Sequence, residues 1–172
     1  MKYYIIFAFS ILVLLACNSE TEYKTEKLSL SQLRALPYYQ TFNIFWDEYN
    51  PLENIVDSVK QKFDIGKHKL IVFTSPTCYS CGNADSLSAF LLKTVYLAEI
   101  PETVYEIYSM PNYKSSHIYS DIVHLESLPA FWLFKNNMPA ACISDSFRTH
   151  KEAFPESQKR IEEFFNEALN EN

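Results

Sequence analysis

Cys78 and Cys81 stand two residues apart at the end of Lys69-Leu-Ile-Val-Phe-Thr-Ser-Pro-Thr-Cys-Tyr-Ser-Cys81, after an apolar run from Leu70 to Phe73 and a Thr-Ser-Pro turn. A segment of helical character follows. In that order the first thiol falls at a helix N-terminus, where outward-pointing N–H groups and the positive end of the helix dipole favour thiolate. The second thiol, one turn further on, can reach back and close a disulfide. Such a pair is suited to two-electron exchange with other disulfides. Two other uses compete with this one: half of a zinc site, or small residues of a core. A zinc site calls for a second close pair of Cys or His, whereas Cys17 and Cys142 each stand alone. His68, His117, His124 and His150 have no His or Cys partner at a chelating helical spacing and read as structural or surface residues. No metal ligand set is expected, and no cofactor.

The elements that must position the dithiol can be read around it. Leu52, Ile55, Val56, Val59 and Phe63 recur at helical spacing and Gly66 follows as a stop, which predicts an amphipathic helix before the strand Lys69–Thr74. Beyond Cys81, Leu87, Phe90, Leu91, Tyr96 and Leu97 keep helical register over 83–99 until Pro101. Thr103–Tyr108 reads as a strand and Ser116–Leu125 as a short helix with Ile118, Ile122 and Val123 inward. Ser127-Leu-Pro-Ala-Phe-Trp-Leu-Phe-Lys-Asn-Asn137 reads as a strand led by a proline and closed by an Asn-Asn turn, with Ala140–Ser144 as hairpin partner. Lys151–Asn170 closes the chain as a helix with Ile161, Phe164, Phe165, Ala168 and Leu169 on one side. The pattern is βαβ, a helix, a hairpin and a helix.

A chain of 172 residues, 48% hydrophobic and 16% aromatic, can bury the core of one domain and leaves little for a second. Residues 1–16 stand apart from it: Lys2, then an apolar run from Ile5 to Leu15, too short for a permanent span of about 20 apolar residues. They read as a signal peptide. Leu14-Leu15-Ala16-Cys17 resembles the lipobox of bacterial lipoproteins, which implies that Cys17 is lipid-modified and begins the mature chain. The domain is then expected in the bacterial cell envelope, lipid-anchored, facing the periplasm or the cell exterior. There dithiols tend to be oxidised unless a dedicated supply keeps them reduced. Residues 17–27 are polar and charged without an apolar period and suit a flexible tether. The net charge of −6 becomes −7 once Lys2 is removed with the signal, and no basic block stands out. Nucleic acid is therefore not an expected partner, and membrane attachment falls to the acyl chains.

Residues 28–51 read as an N-terminal extension that packs Phe42, Phe45 and Trp46 on the domain, the alternative being an aromatic wall facing a substrate. Cys142, in an apolar segment, reads as a core thiol.

From about Leu52 to the C-terminus the order of elements resembles the thioredoxin family. Val72-Phe-Thr-Ser-Pro-Thr-Cys-Tyr-Ser-Cys81 is similar to the strand and redox turn of that family. Leu128-Pro-Ala-Phe-Trp-Leu-Phe-Lys-Asn-Asn137 is similar to the strand that opens at its cis-proline. The resemblance implies an α/β, thioredoxin-like fold over 52–172, a central mixed sheet with helices on both sides. It implies Cys78 as the attacking thiolate, Cys81 as the resolving thiol and Pro129 as the residue packed against the disulfide. The backbone of Leu128, with Tyr79 and Ser80 between the cysteines, would then meet an extended substrate. Three features depart from the family. Val72 stands where thioredoxins carry a buried acid, Tyr79 and Ser80 replace glycine and proline, and Gly82 follows Cys81.

The expected activity is thus that of a membrane-tethered thiol-disulfide oxidoreductase, a reductant rather than an oxidant. It would act on protein disulfides or dithiols and be recharged by a membrane electron-donor protein. A copper or zinc module built on the same two thiolates, or a redox-inactive adaptor of the same fold, are the alternatives.

Overall fold

The computed structural model describes residues 24–76 and 84–170. In chain order the elements are β1 (Glu26–Leu28), α1 (Leu30–Ala35), α2 (Gln40–Glu48), α3 (Glu53–Lys62), β2 (His68–Thr74), α4 (Ala84–Leu97), β3 (Tyr105–Ser109), β4 (Ala130–Lys135), β5 (Met138–Cys142), α5 (Ile143–Ala153) and α6 (Ile161–Ala168). The strands form one mixed sheet in the order β1-β3-β2-β4-β5, with β2 and β3 parallel and every other pair antiparallel. Leu70 to Thr74 of β2 are buried on both sides of the strand, as a continuous apolar run in a central position requires. The parallel pair needs a crossover, and α4 supplies it. The architecture is mixed α/β, with a five-stranded sheet flanked by helices.

The two faces of the sheet are covered differently. Leu70, Val72, Ile107, Phe131 and Leu133 point into one large core with residues of all six helices, among them Leu33, Phe42, Val59, Leu91, Ile143 and Phe165. Ile71, Phe73, Tyr108, Ala130 and Phe134 point the other way, against Met110, Val123, Leu125 and Leu128. Among the described residues that second cover holds no helix: the expected helix over 116–125 is a run of turns, with Ile118 and Ile122 exposed and, of the three, only Val123 inward. Ser120 explains why. Its hydroxyl accepts from His117 N at 3.0 Å and donates to His117 O at 2.7 Å, a local closure that competes with helical pairing.

The hairpin β4–β5 turns on Asn136 and Asn137, both with positive φ (52° and 65°), the conformation that a two-residue turn of this kind demands and that Asn tolerates. The chain then enters α5 directly from Cys142. The single helix expected over 151–170 is broken, because Pro155 lacks an N–H and disfavours helical geometry at Phe154. At the other end of the chain, the sheet takes in Glu26–Leu28, of which Glu26 and Lys27 fall in the stretch whose composition suggests a tether. Ser29 caps α1 reciprocally with Gln32, Gln32 N to Ser29 Oγ at 3.1 Å and Ser29 N to Gln32 Oε1 at 2.8 Å. Phe42 and Trp46 of α2 are buried and stack at 5.9 Å between ring centroids.

Glu106 of β3 ties three strands together on the thinly covered face. It accepts from Lys27 at 2.6 Å, Lys69 at 3.1 Å, Tyr119 at 2.6 Å and Tyr108 at 2.9 Å, with its side chain only 12% exposed. Burial alone would raise its pKa, but the bonds from Lys27, Tyr119, Lys69 and Tyr108 outweigh it and hold the carboxyl at about 2. A carboxyl depressed in the folded state contributes stability above its ordinary value, near 4.5, and that contribution is lost as the pH falls through about 2. Glu106→Gln is therefore expected to destabilise the protein by about 2 kcal/mol at pH 7. In urea unfolding curves the gap between variant and wild type should close between pH 5 and pH 2. A gap that is constant with pH contradicts this assignment.

Candidate functional site

Thr74, the last residue of β2, shares a rung of the sheet with Ser109 of β3, and Met110 N donates to Thr74 O at 2.8 Å. Both side chains face the helices, one pleat beyond Val72. Thr74 Oγ1 accepts from Ser88 Oγ of α4 at 3.0 Å, and Ser109 Oγ and the Tyr39 hydroxyl lie 2.7 Å apart. All four residues are fully buried. Two hydroxyl pairs thus lie side by side beneath the carboxyl end of the central strands. Val72 itself is fully buried in apolar surroundings, and among the described residues the polar side chains next to it at this end of the strand are hydroxyls.

The start of β4 lies at the same end. Phe73 pairs with Ala130, so the next step of the antiparallel ladder brings Pro129 beside Thr74. The Leu128–Pro129 bond is cis, and both residues are buried. α5 anchors this corner from outside the sheet. Arg148 Nη1 donates to Pro129 O at 2.9 Å, and Ser144 Oγ accepts from Phe131 N at 3.1 Å, so the groups on either side of Ala130 are both fixed to one helix. Arg148 is itself held by Asp145. On the opposite face Phe73 stacks on Tyr108 at 5.6 Å, and the His117 ring lies 4.6 Å from Phe73. Burial holds His117 below its ordinary pKa, which keeps it uncharged at neutral pH.

Of the residues singled out in the sequence, Leu128 and Pro129 are placed at this corner. Cys78, Tyr79, Ser80 and Cys81 lie outside the described residues, and so does Cys17. The segment 77–83 that carries the dithiol joins Pro76, just past β2, to Ala84, the first residue of α4. Ser144 and Arg148 were invisible in the sequence as members of this corner. Ser144 stands where a strand was expected to end, and the Arg148 contact spans 19 residues with no periodic signal.

Cys142 is half-buried rather than in the core, with Sγ 3.4 Å from Ser144 Oγ. Burial pushes its thiol up to about 11, so it is protonated and a poor nucleophile at neutral pH. Among the described residues no group of three or more His, Cys, Asp or Glu could hold a metal ion, and no helix is long and apolar enough to cross a membrane. No family model matches the chain, and comparison with curated proteins and with solved structures finds no match either.

Proposed function

We propose that the chain is a thiol-disulfide oxidoreductase of thioredoxin-like fold, tethered to a membrane of the bacterial envelope through lipid on Cys17, with Cys78 and Cys81 as its redox pair. One observation carries this reading. The segment bearing the dithiol lies in sequence between the carboxyl end of the central strand and the crossover helix α4, and the ladder between β2 and β4 brings Pro129 to that same end. In open α/β sheets the carboxyl ends of the strands are where sites form.

The chemistry balances on the two sulfurs. Cys78 thiolate attacks one sulfur of a partner disulfide, the partner S–S bond breaks, and one partner thiolate departs. Cys81 then gives up its proton, which the departed partner thiolate takes up, and attacks Cys78 Sγ in the mixed disulfide, which releases the second partner thiolate. The partner gains two electrons and the chain is left with a Cys78–Cys81 disulfide, to be reduced again by a dithiol donor. The Leu128–Pro129 backbone, with the Pro129 carbonyl fixed by Arg148, is the segment beside which an extended partner would lie. The test is reduction of insulin by the mature chain with dithiothreitol as electron source. The wild type should accelerate precipitation of the insulin B chain, and Cys78→Ser should not. Equal rates for the two remove the enzymatic reading.

A further inference from the structure

We propose that the dithiol end of the domain is the end turned toward the membrane, so that its partner is a protein disulfide held in or at that same membrane. The inference rests on the proposed dithiol and tether, and on the course of the chain through the sheet. β1 runs antiparallel to β3, with Glu26 opposite Ser109, and Ser109 lies opposite Thr74. The chain therefore enters the fold at the carboxyl end of β2, the end to which the 77–83 segment is attached. Nine Cα steps lead from Cys17 to Glu26, and a chain of that length spans at most about 30 Å. A lipid on Cys17 thus holds this end of the sheet within that distance of the bilayer surface.

The other terminus lies at the opposite end. Asn166 Oδ1 of α6 accepts from Ser58 Oγ at 2.8 Å and from Lys62 Nζ at 3.0 Å, beside the last turn of α3. Phe63, which follows α3, packs its ring on Phe165 and on His68, the first residue of β2. The close of α6 is therefore next to the start of β2. At about 3.3 Å per residue, the seven residues of β2 put roughly 20 Å between the two ends. An anchor at the N-terminus therefore keeps the dithiol end on average nearer the bilayer, and an anchor at the C-terminus on average farther from it. Confinement of enzyme and partner to one surface raises their effective concentration only if the geometry lets the sites meet.

The experiment moves the anchor. Two forms of the mature chain are bound to nickel-chelating lipid vesicles by a hexahistidine tag, placed either at position 17 or after nine polar residues added beyond Asn172. Each is given a disulfide-bridged peptide carried on a lipid of the same vesicles, and separately insulin in solution. Both forms should reduce insulin equally, and the N-anchored form should reduce the vesicle-borne peptide at least about fivefold faster. Equal rates on the peptide, or a faster C-anchored form, overturn the orientation and leave the dithiol reading intact. Loss of insulin reduction in both forms overturns the dithiol reading and the orientation with it.

Discussion

Cys81→Ser will accumulate a covalent mixed disulfide with its protein substrate through Cys78, and its turnover will fall by at least about a hundredfold. The attack that resolves the mixed disulfide is intramolecular in the wild type. Removing the second thiol leaves that step to dilute external thiols, and the effective molarity of a neighbouring group is lost. Non-reducing gels and intact-mass measurement should show one substrate molecule per chain, released by dithiothreitol, and no adduct in the Cys78→Ser, Cys81→Ser double variant. Cys142 does not substitute for either thiol. Burial holds it at about 11, which leaves roughly one part in ten thousand as thiolate at pH 7. An adduct that persists in the double variant would place the nucleophile elsewhere.

Glu162→Leu will destabilise the fold strongly, although it lies far in sequence from the dithiol. Glu162 is fully buried on α6, within 2.9 Å of Arg160 Nε, and it accepts from Leu52 N at 3.3 Å and from the Tyr49 hydroxyl. Arg160 also reaches Tyr49 Oη at 3.0 Å and Asn50 O at 2.7 Å, and the Tyr49 ring stacks on Phe90 of α4 at 3.9 Å. The cluster fastens the last helix to the chain before α3 and to the helix that follows the dithiol. Burial, and then the Glu162 carboxylate, keep the Tyr49 phenol far above its ordinary pKa, so it remains a donor. Removing the carboxylate strands the Arg160 charge, a loss of about 3 kcal/mol, or roughly 6–12 °C in Tm for a domain of this size. Because Arg160 is 29% exposed and can be partly rehydrated, the loss should lie at the low end of the range for buried pairs. Thermal unfolding followed by circular dichroism checks it, and a shift under 2 °C contradicts the account.

Sequence patterns located what depends on near neighbours. The central strand, the helices on either side of it, the Asn136-Asn137 turn and the proline opening β4 all carry local signals of period or turn chemistry, and each appears close to where the pattern put it. What the patterns lost are features decided by competition. Pro155 splits a helical period that otherwise runs on to Asn170, and the Ser120 bonds defeat a helix whose apolar spacing is adequate. β1 is three residues long and mostly polar, and only its pairing with β3 makes it a strand. The corner around Pro129 was half legible. Leu128 and Pro129 could be named, whereas Ser144, Arg148 and the four buried hydroxyls of Tyr39, Thr74, Ser88 and Ser109 come together only through tertiary packing.

The central claim is that Cys78 and Cys81 exchange electrons as a pair, and redox equilibration tests it most directly. The purified mature chain is incubated in glutathione buffers of graded potential, its free thiols are alkylated, and its mass is measured at each potential. The account predicts one two-electron transition that removes the Cys78 and Cys81 thiols together, with Cys142 alkylated at every potential when the alkylation is carried out in denaturant. Its midpoint should lie nearer −270 mV, the value of thioredoxin, than −120 mV, that of a strong oxidant. A pair that stays reduced across the whole range, or that is recovered with one equivalent of copper or zinc bound, would contradict it.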